Sequence, residues 1–120
     1  MERIKSYKDL IVWQRSMSLV LSIYELTEQF PKSEMYGLTS QMRRAVVSIP
    51  SNIAEGKMRG TRKDYRHFLL NSFGSGAELE TQIEIAKRLP FSKNLNYIKT
   101  NELLTEVMKM LNVLTKKLAS

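Results

Sequence analysis

VVSIPSNIAEG, Val46 to Gly56, sets a proline inside a stretch that otherwise reads as helix. Whether the helix survives Pro50 decides the architecture. Leu38, Met42, Ala45, Ile49 and Ile53 keep spacings of four and three on both sides of it, the period of one buried helical face. A single helix is therefore predicted to begin near Tyr36 or Leu38, run through Pro50 and stop at Gly56 or Gly60. The ring crowds the Val46 carbonyl and removes its donor, a penalty of about 3 kcal/mol in an unadapted helix, so the helix is expected to bend. Ser48, Ser51, Asn52 and Ala54 are small or able to hydrogen-bond the freed backbone, as at tolerated kinks. The bend either wraps this helix around a bundle or aims the segment after it, Lys57 to Arg66.

Three more helices follow from the same period, and no strand pattern is present. The first runs from about Tyr7 to Gln29 and carries two apolar stripes, Leu10, Trp13, Met17, Val20, Tyr24 and Val12, Leu19, Ile23, Leu26, Phe30. Together they cover about half the helix circumference, wider than the ~100° arc one core face needs, so this helix is expected to touch two neighbours. Pro31 ends it, and Ser33 is a candidate cap for the next. The third helix opens at Thr61, where Thr61-x-x-Asp64 has the form of a capping box, and runs to about Leu89 before Pro90. Its Gly74 and Gly76 imply close approach of another helix backbone, for which the bend at Pro50 is a candidate. The fourth follows Asn94 or Asn96, with Tyr97, Thr100, Leu104, Val107, Leu111, Leu114 and Leu118 in three-four alternation. Short connections make sequence neighbours antiparallel. The fold class is all-α: an up-down-up-down four-helix bundle with a Pro-kinked second helix, one domain over residues 1–120.

Composition agrees, with 42% apolar and 26% charged residues in 120, enough for one soluble core. No cysteine is present, which removes disulfides, thiolate metal sites and cysteine nucleophiles. The longest apolar stretch, Met17 to Tyr24, is too short to span a bilayer, and no cleavage-like site follows it; a cytoplasmic protein without membrane contact is expected. The net charge is +7, which attracts polyanions. Between Ser40 and Leu70 stand Arg43, Arg44, Lys57, Arg59, Arg62, Lys63 and Arg66 against Glu55 and Asp64, so this quarter of the chain carries +5 of the +7.

Arg62, Lys63 and Arg66 fall in the first turns of the third helix, where the dipole disfavours cations by about 0.3–1 kcal/mol each. Exposed amides at a helix start combined with arginines form an anion site, and phosphate is its natural partner. The alternative is a solvated basic face that serves solubility. Tyr65 and Phe68 sit at helical spacing and read as core. Phe73-Gly74-Ser75-Gly76-Ala77 has neither the lysine nor the preceding strand of a phosphate loop. His67 is the one histidine, too few for the paired Glu-x-x-His of a di-metal bundle and without a serine partner for nucleophilic catalysis. Glu78, Glu80 and Glu84 form an acidic face that could meet the basic cluster of another subunit. No enzyme and no cofactor are expected.

Four blocks carry a resemblance: Tyr7-Lys8-Asp9-Leu10-x-x-Trp13-Gln14; Phe30-Pro31-x-x-Glu34-x-Tyr36-Gly37-Leu38-x-x-Gln41-x-Arg43-Arg44-Ala45; Ile49-Pro50-Ser51-Asn52-Ile53-Ala54-Glu55-Gly56; and Glu78-Leu79-Glu80-Thr81-Gln82. In this order they resemble the four-helix-bundle family of 23S ribosomal-RNA intervening-sequence proteins. Leu89-Pro90-Phe91 departs from the glycine and aromatic usual there. The resemblance implies a small bacterial protein that assembles, as known relatives do, into a homopentameric ring, encoded within ribosomal-RNA genes or elsewhere. The architecture is also similar to the accessory proteins of diversity-generating retroelements, basic pentameric bundles that bind nucleic acid and a reverse transcriptase.

Residues and resemblance together predict a homo-oligomer that binds nucleic acid, structured RNA above all, through Arg43, Arg44, Lys57, Arg59, Arg62, Lys63 and Arg66. Repetition around a ring would multiply weak phosphate contacts. The competing expectation is a protein-interaction scaffold, or an accessory subunit of an enzyme such as a reverse transcriptase, with no nucleic-acid role.

Overall fold

A computed structural model describes residues 6–119 of the chain. Four helices make up the fold, α1 Ile11–Glu28, α2 Leu38–Met58, α3 Arg62–Arg88 and α4 Ile98–Lys117, in a body of 48 × 25 × 21 Å. Among the described residues there is no strand.

Contacts run in opposite chain directions in each adjacent pair. Gly56 of α2 packs on Tyr65 and Phe68 of α3, while Ser48, farther back in α2, bonds to Ser75, farther on in α3. Arg66, Gly76 and Lys87 of α3 meet Thr115, Met108 and Tyr97 respectively. Arg15 pairs with Glu106 at 2.9 Å, and Ser22 bonds to Thr100. The core is one cluster drawing on all four helices, including Leu19, Met42, Ile49, Leu69, Leu79 and Leu111, each fully enclosed.

The two stripes of α1 have different fates. Val12, Leu19, Ile23, Leu26 and Phe30 are buried, whereas Met17 and Tyr24 remain exposed, as do Ile11 and Leu21 beside them. With Val47, Pro50 and Ala54 of α2, Trp13, Met17 and Val20 border an apolar surface groove of about 350 Å³.

Several local expectations shift. Tyr7–Asp9 is a separate 3-10 turn capped by Ser6, and α1 starts only after Leu10, whose backbone is extended. Glu34, not Ser33, caps α2: the 3-10 turn Lys32–Glu34 places its Oε1 3.1 Å from the Leu38 amide, which donates to it. Helix α2 is continuous through Pro50, where Ser51 and Asn52 donate to the carbonyls of Val47 and Ser48. Gly60, at φ +85°, supplies the stop, a conformation that costs a side-chain-bearing residue energy. Nor does Gly76 admit the proline bend. The Met108 thioether fills the space its side chain would take, and Gly74 faces open space.

Candidate nucleic-acid interface

The turn between α2 and α3 is short and tightly held. Thr61 Oγ1 accepts from the Asp64 amide at 3.1 Å, capping α3. At the end of α2, a Cβ on Gly56 would stand 2.7 Å from the Phe68 Cβ and 3.2 Å from the Tyr65 carbonyl oxygen. The two helices therefore cross in close contact just where the basic residues concentrate.

Lys57 and Arg59, at the end of α2, lie against aromatic rings of α3. The Lys57 ammonium is 5.3 Å from the centre of the Tyr65 ring, and the Arg59 guanidinium 5.1 Å from that of Phe68. Burial raises the Tyr65 phenol above its ordinary value of 10.0, so this ring stays neutral beneath the ammonium. Arg59 also pairs with Glu55 at 3.0 Å, an exposed pair one helical turn apart and a weak one for that reason.

Arg62 and Arg66 take a role that helix periodicity alone does not show. The Arg62 guanidinium donates to the Lys117 carbonyl, and Arg66 Nε donates to the Thr115 carbonyl at 3.0 Å. Cations disfavoured by the dipole of α3 are favoured by the carbonyl end of α4, which the antiparallel packing sets alongside. Their position thus has a structural cause independent of any ligand. Each guanidinium has five N–H donors, so one backbone bond leaves most of them available. Lys63 and His67 are exposed and share with Arg62 and Arg66 a groove of about 530 Å³.

Arg43 and Arg44 do not join this group. Arg43 lies about 21 Å back along α2 from Lys57 at 1.5 Å per residue. It donates to Thr27 Oγ1 at 2.9 Å, reaches Glu28 at 3.4 Å and stacks 4.4 Å from the centre of Tyr24, joining α2 to the end of α1. Arg44 is exposed and lines a separate groove between α2 and α3. The one surface expected from sequence is therefore a basic end and a distant pair, of which Arg43 is already engaged.

Lys116 and Lys117, in the last turn of α4, belong to the basic end, because Arg62 bonds the Lys117 carbonyl. The signal was the up-down connectivity, which puts the end of α4 beside the start of α3. Among the described residues no three of His, Asp and Glu gather to hold a metal ion, and no helix is long and apolar enough to cross a membrane.

No curated protein matches the chain. Among solved structures, it is similar to that of a protein of unknown function from the S23 ribosomal protein family of Bacteroides thetaiotaomicron. The TM-score is 0.77 at 23% identity, over 88% of this chain and 99% of that one, which supports the four-helix fold. Residues 8–113 match the family description 23S rRNA-intervening sequence protein, a span that takes in nearly all of the four blocks singled out in the sequence and nearly the whole bundle. The chain belongs to the family of 23S rRNA-intervening sequence proteins.

Proposed function

We propose that this protein is a non-enzymatic, homo-oligomeric bundle that binds structured RNA through phosphate contacts of its basic end. The observation that carries the reading is the joining of Lys57, Arg59, Arg62, Lys63 and Arg66 with Lys116 and Lys117 around the α2–α3 turn, against only Glu55 and Asp64. Contacts of this kind read the backbone of a nucleic acid and not its base edges. Self-association is supported by the outer stripe of α1, where Ile11, Met17, Leu21 and Tyr24 remain exposed beside the apolar groove against α2, a face whose burial between copies would remove it from water. Repeating the basic end in each copy then adds avidity.

The test is RNA affinity measured by fluorescence anisotropy across a salt series. A steep fall of log affinity with log salt is expected, and Lys63→Gln or Lys117→Gln, each removing one cation from the phosphate-facing surface, should flatten the slope by about one. An unchanged slope in both variants would refute the assignment. The scaffold reading draws on the same apolar face of α1. It requires RNA affinity no greater than that of an equally basic control protein, together with one defined protein partner.

A further inference from the structure

The groove that holds Arg44 has a different chemistry from the basic end. It lies between α2 and α3, has a volume of about 390 Å³, and is lined by Tyr36, Ser40, Arg44, Glu78 and Gln82 among others. Gln82 is only 7% exposed, and its Oε1 is the one enclosed side-chain polar atom without a hydrogen-bond partner among the described residues. Buried polar atoms are nearly always paired, and an unpaired one calls for an explanation. Arg44 and Glu78 both line the groove, yet neither forms an ion pair among the described residues, whereas Arg15, Arg43 and Arg59 each do. At the mouth stands Tyr36, 94% exposed, an aromatic ring with no packing role to account for it.

We propose that this groove binds an unpaired guanine base. The groove offers the Glu78 carboxylate as an acceptor, one planar cation and one aromatic face, and a turn of the enclosed Gln82 amide would bring its unpaired oxygen to the groove as a second acceptor. Guanine presents N1–H and the N2 amino group side by side on its Watson–Crick edge, with O6 and N7 as adjoining acceptors. Glu78 and Gln82 accept from the N–H groups, Arg44 donates to O6 and N7 as arginine commonly does, and Tyr36 stacks on the base as aromatics do for unpaired RNA. Adenine and cytosine each carry a single exocyclic amino group and no ring N–H on that edge, and uracil carries one ring N–H, so none places two donor atoms side by side opposite the two acceptors as guanine does. The inference rests on the RNA reading only for the source of the base; recognition of the base itself requires no phosphate contact. It also gives a role to Glu78 and Gln82 that the basic end does not.

The experiment uses a hairpin RNA whose loop is uridine except for one position, occupied by guanosine, adenosine or inosine, and in parallel titrates the protein with GMP and AMP. The guanosine loop should bind roughly tenfold more tightly than the adenosine or inosine loop, inosine lacking the N2 amino group. Glu78→Gln and Tyr36→Ala, both at exposed positions, should erase that preference while leaving the salt slope unchanged. Steep salt dependence with no preference among the three loops would overturn the guanine site and leave the phosphate reading standing. Preference for GMP over AMP without RNA affinity would support the site and overturn the phosphate reading. Loss of oligomeric mass in Glu78→Gln, with no guanine preference in the unsubstituted protein, would make the groove a contact between copies and overturn the proposal.

Discussion

Replacing each of two glycines by alanine should stabilise the protein at one position and not at the other. Gly74 is mid-helix in α3 with nothing within 4 Å of where a Cβ would stand. Gly74→Ala therefore gains only the helix propensity term, about 1 kcal/mol, or a rise in Tm of roughly 4 °C for a chain of this size. Gly56→Ala gains the same term, but its Cβ would meet the Phe68 Cβ at 2.7 Å and the Tyr65 carbonyl oxygen at 3.2 Å. Neither atom is the free end of a side chain, so α2 and α3 must separate, and overpacking of this kind costs about 1–3 kcal/mol. The expected net change runs from near zero to a loss of about 2 kcal/mol, leaving the two variants about 1–3 kcal/mol apart. Urea unfolding followed by the helical circular dichroism signal measures both. Equal stabilisation by the two substitutions would refute the close α2–α3 approach, and with it the tight turn that gathers the basic residues.

The helices were legible because their core positions obey a local rule. Leu38, Met42, Ala45, Ile49 and Ile53 mark the buried side of α2 across the proline, and all five are enclosed in the structure. What could not be read is what each surface residue meets across a helix pair. Arg62 and Arg66 look misplaced when only their own helix dipole is counted; the compensating carbonyls of Thr115 and Lys117 come from a segment some fifty residues later. Arg43 and Arg44 are adjacent in sequence and diverge by about 100° on the helix, and that divergence gives one to Thr27 and Tyr24 and the other to a groove. Gln82 is visible as part of a motif, but that its oxygen is unpaired depends on its surroundings in the folded bundle, which no pattern within α3 specifies.

Thr61→Ala removes the acceptor that caps α3 and should cost about 1 kcal/mol in chemical denaturation. Lys63→Gln, at an exposed position, should leave the unfolding midpoint nearly unchanged while lowering the salt slope of RNA binding; a large stability loss would mean that Lys63 holds the fold. Burial raises the Tyr97 phenol above 10.0, against a smaller lowering by the Ser92 side chain, and the phenol donates to the Ser92 carbonyl at 2.8 Å, a bond that only the neutral form makes. Because the unfolded chain releases this proton first, stability should hold below about pH 10 and fall as pH rises toward the folded value. Tyr97→Phe should flatten that alkaline decline.

The most discriminating substitution at the basic end is Arg66→Lys, because it separates charge from geometry. Arg66 Nε donates to the Thr115 carbonyl at 3.0 Å and the residue is half-buried, so its planar group is held in place by folding before any phosphate arrives. A guanidinium anchored through one N–H still presents the remaining donors in a fixed plane, and ordering done during folding need not be repeated on binding. Lysine keeps the positive charge at the end of α4 but has neither the planar group nor a second fixed donor. The variant should lose about 1 kcal/mol of stability, the net worth of a typical hydrogen bond, and bind RNA more weakly at every salt concentration. Its salt slope should match the unsubstituted protein, because the number of charges facing phosphate is unchanged. Full affinity with an unchanged slope would show that Arg66 contributes charge alone, and the backbone bond to Thr115 would then serve only to fasten α4 to α3.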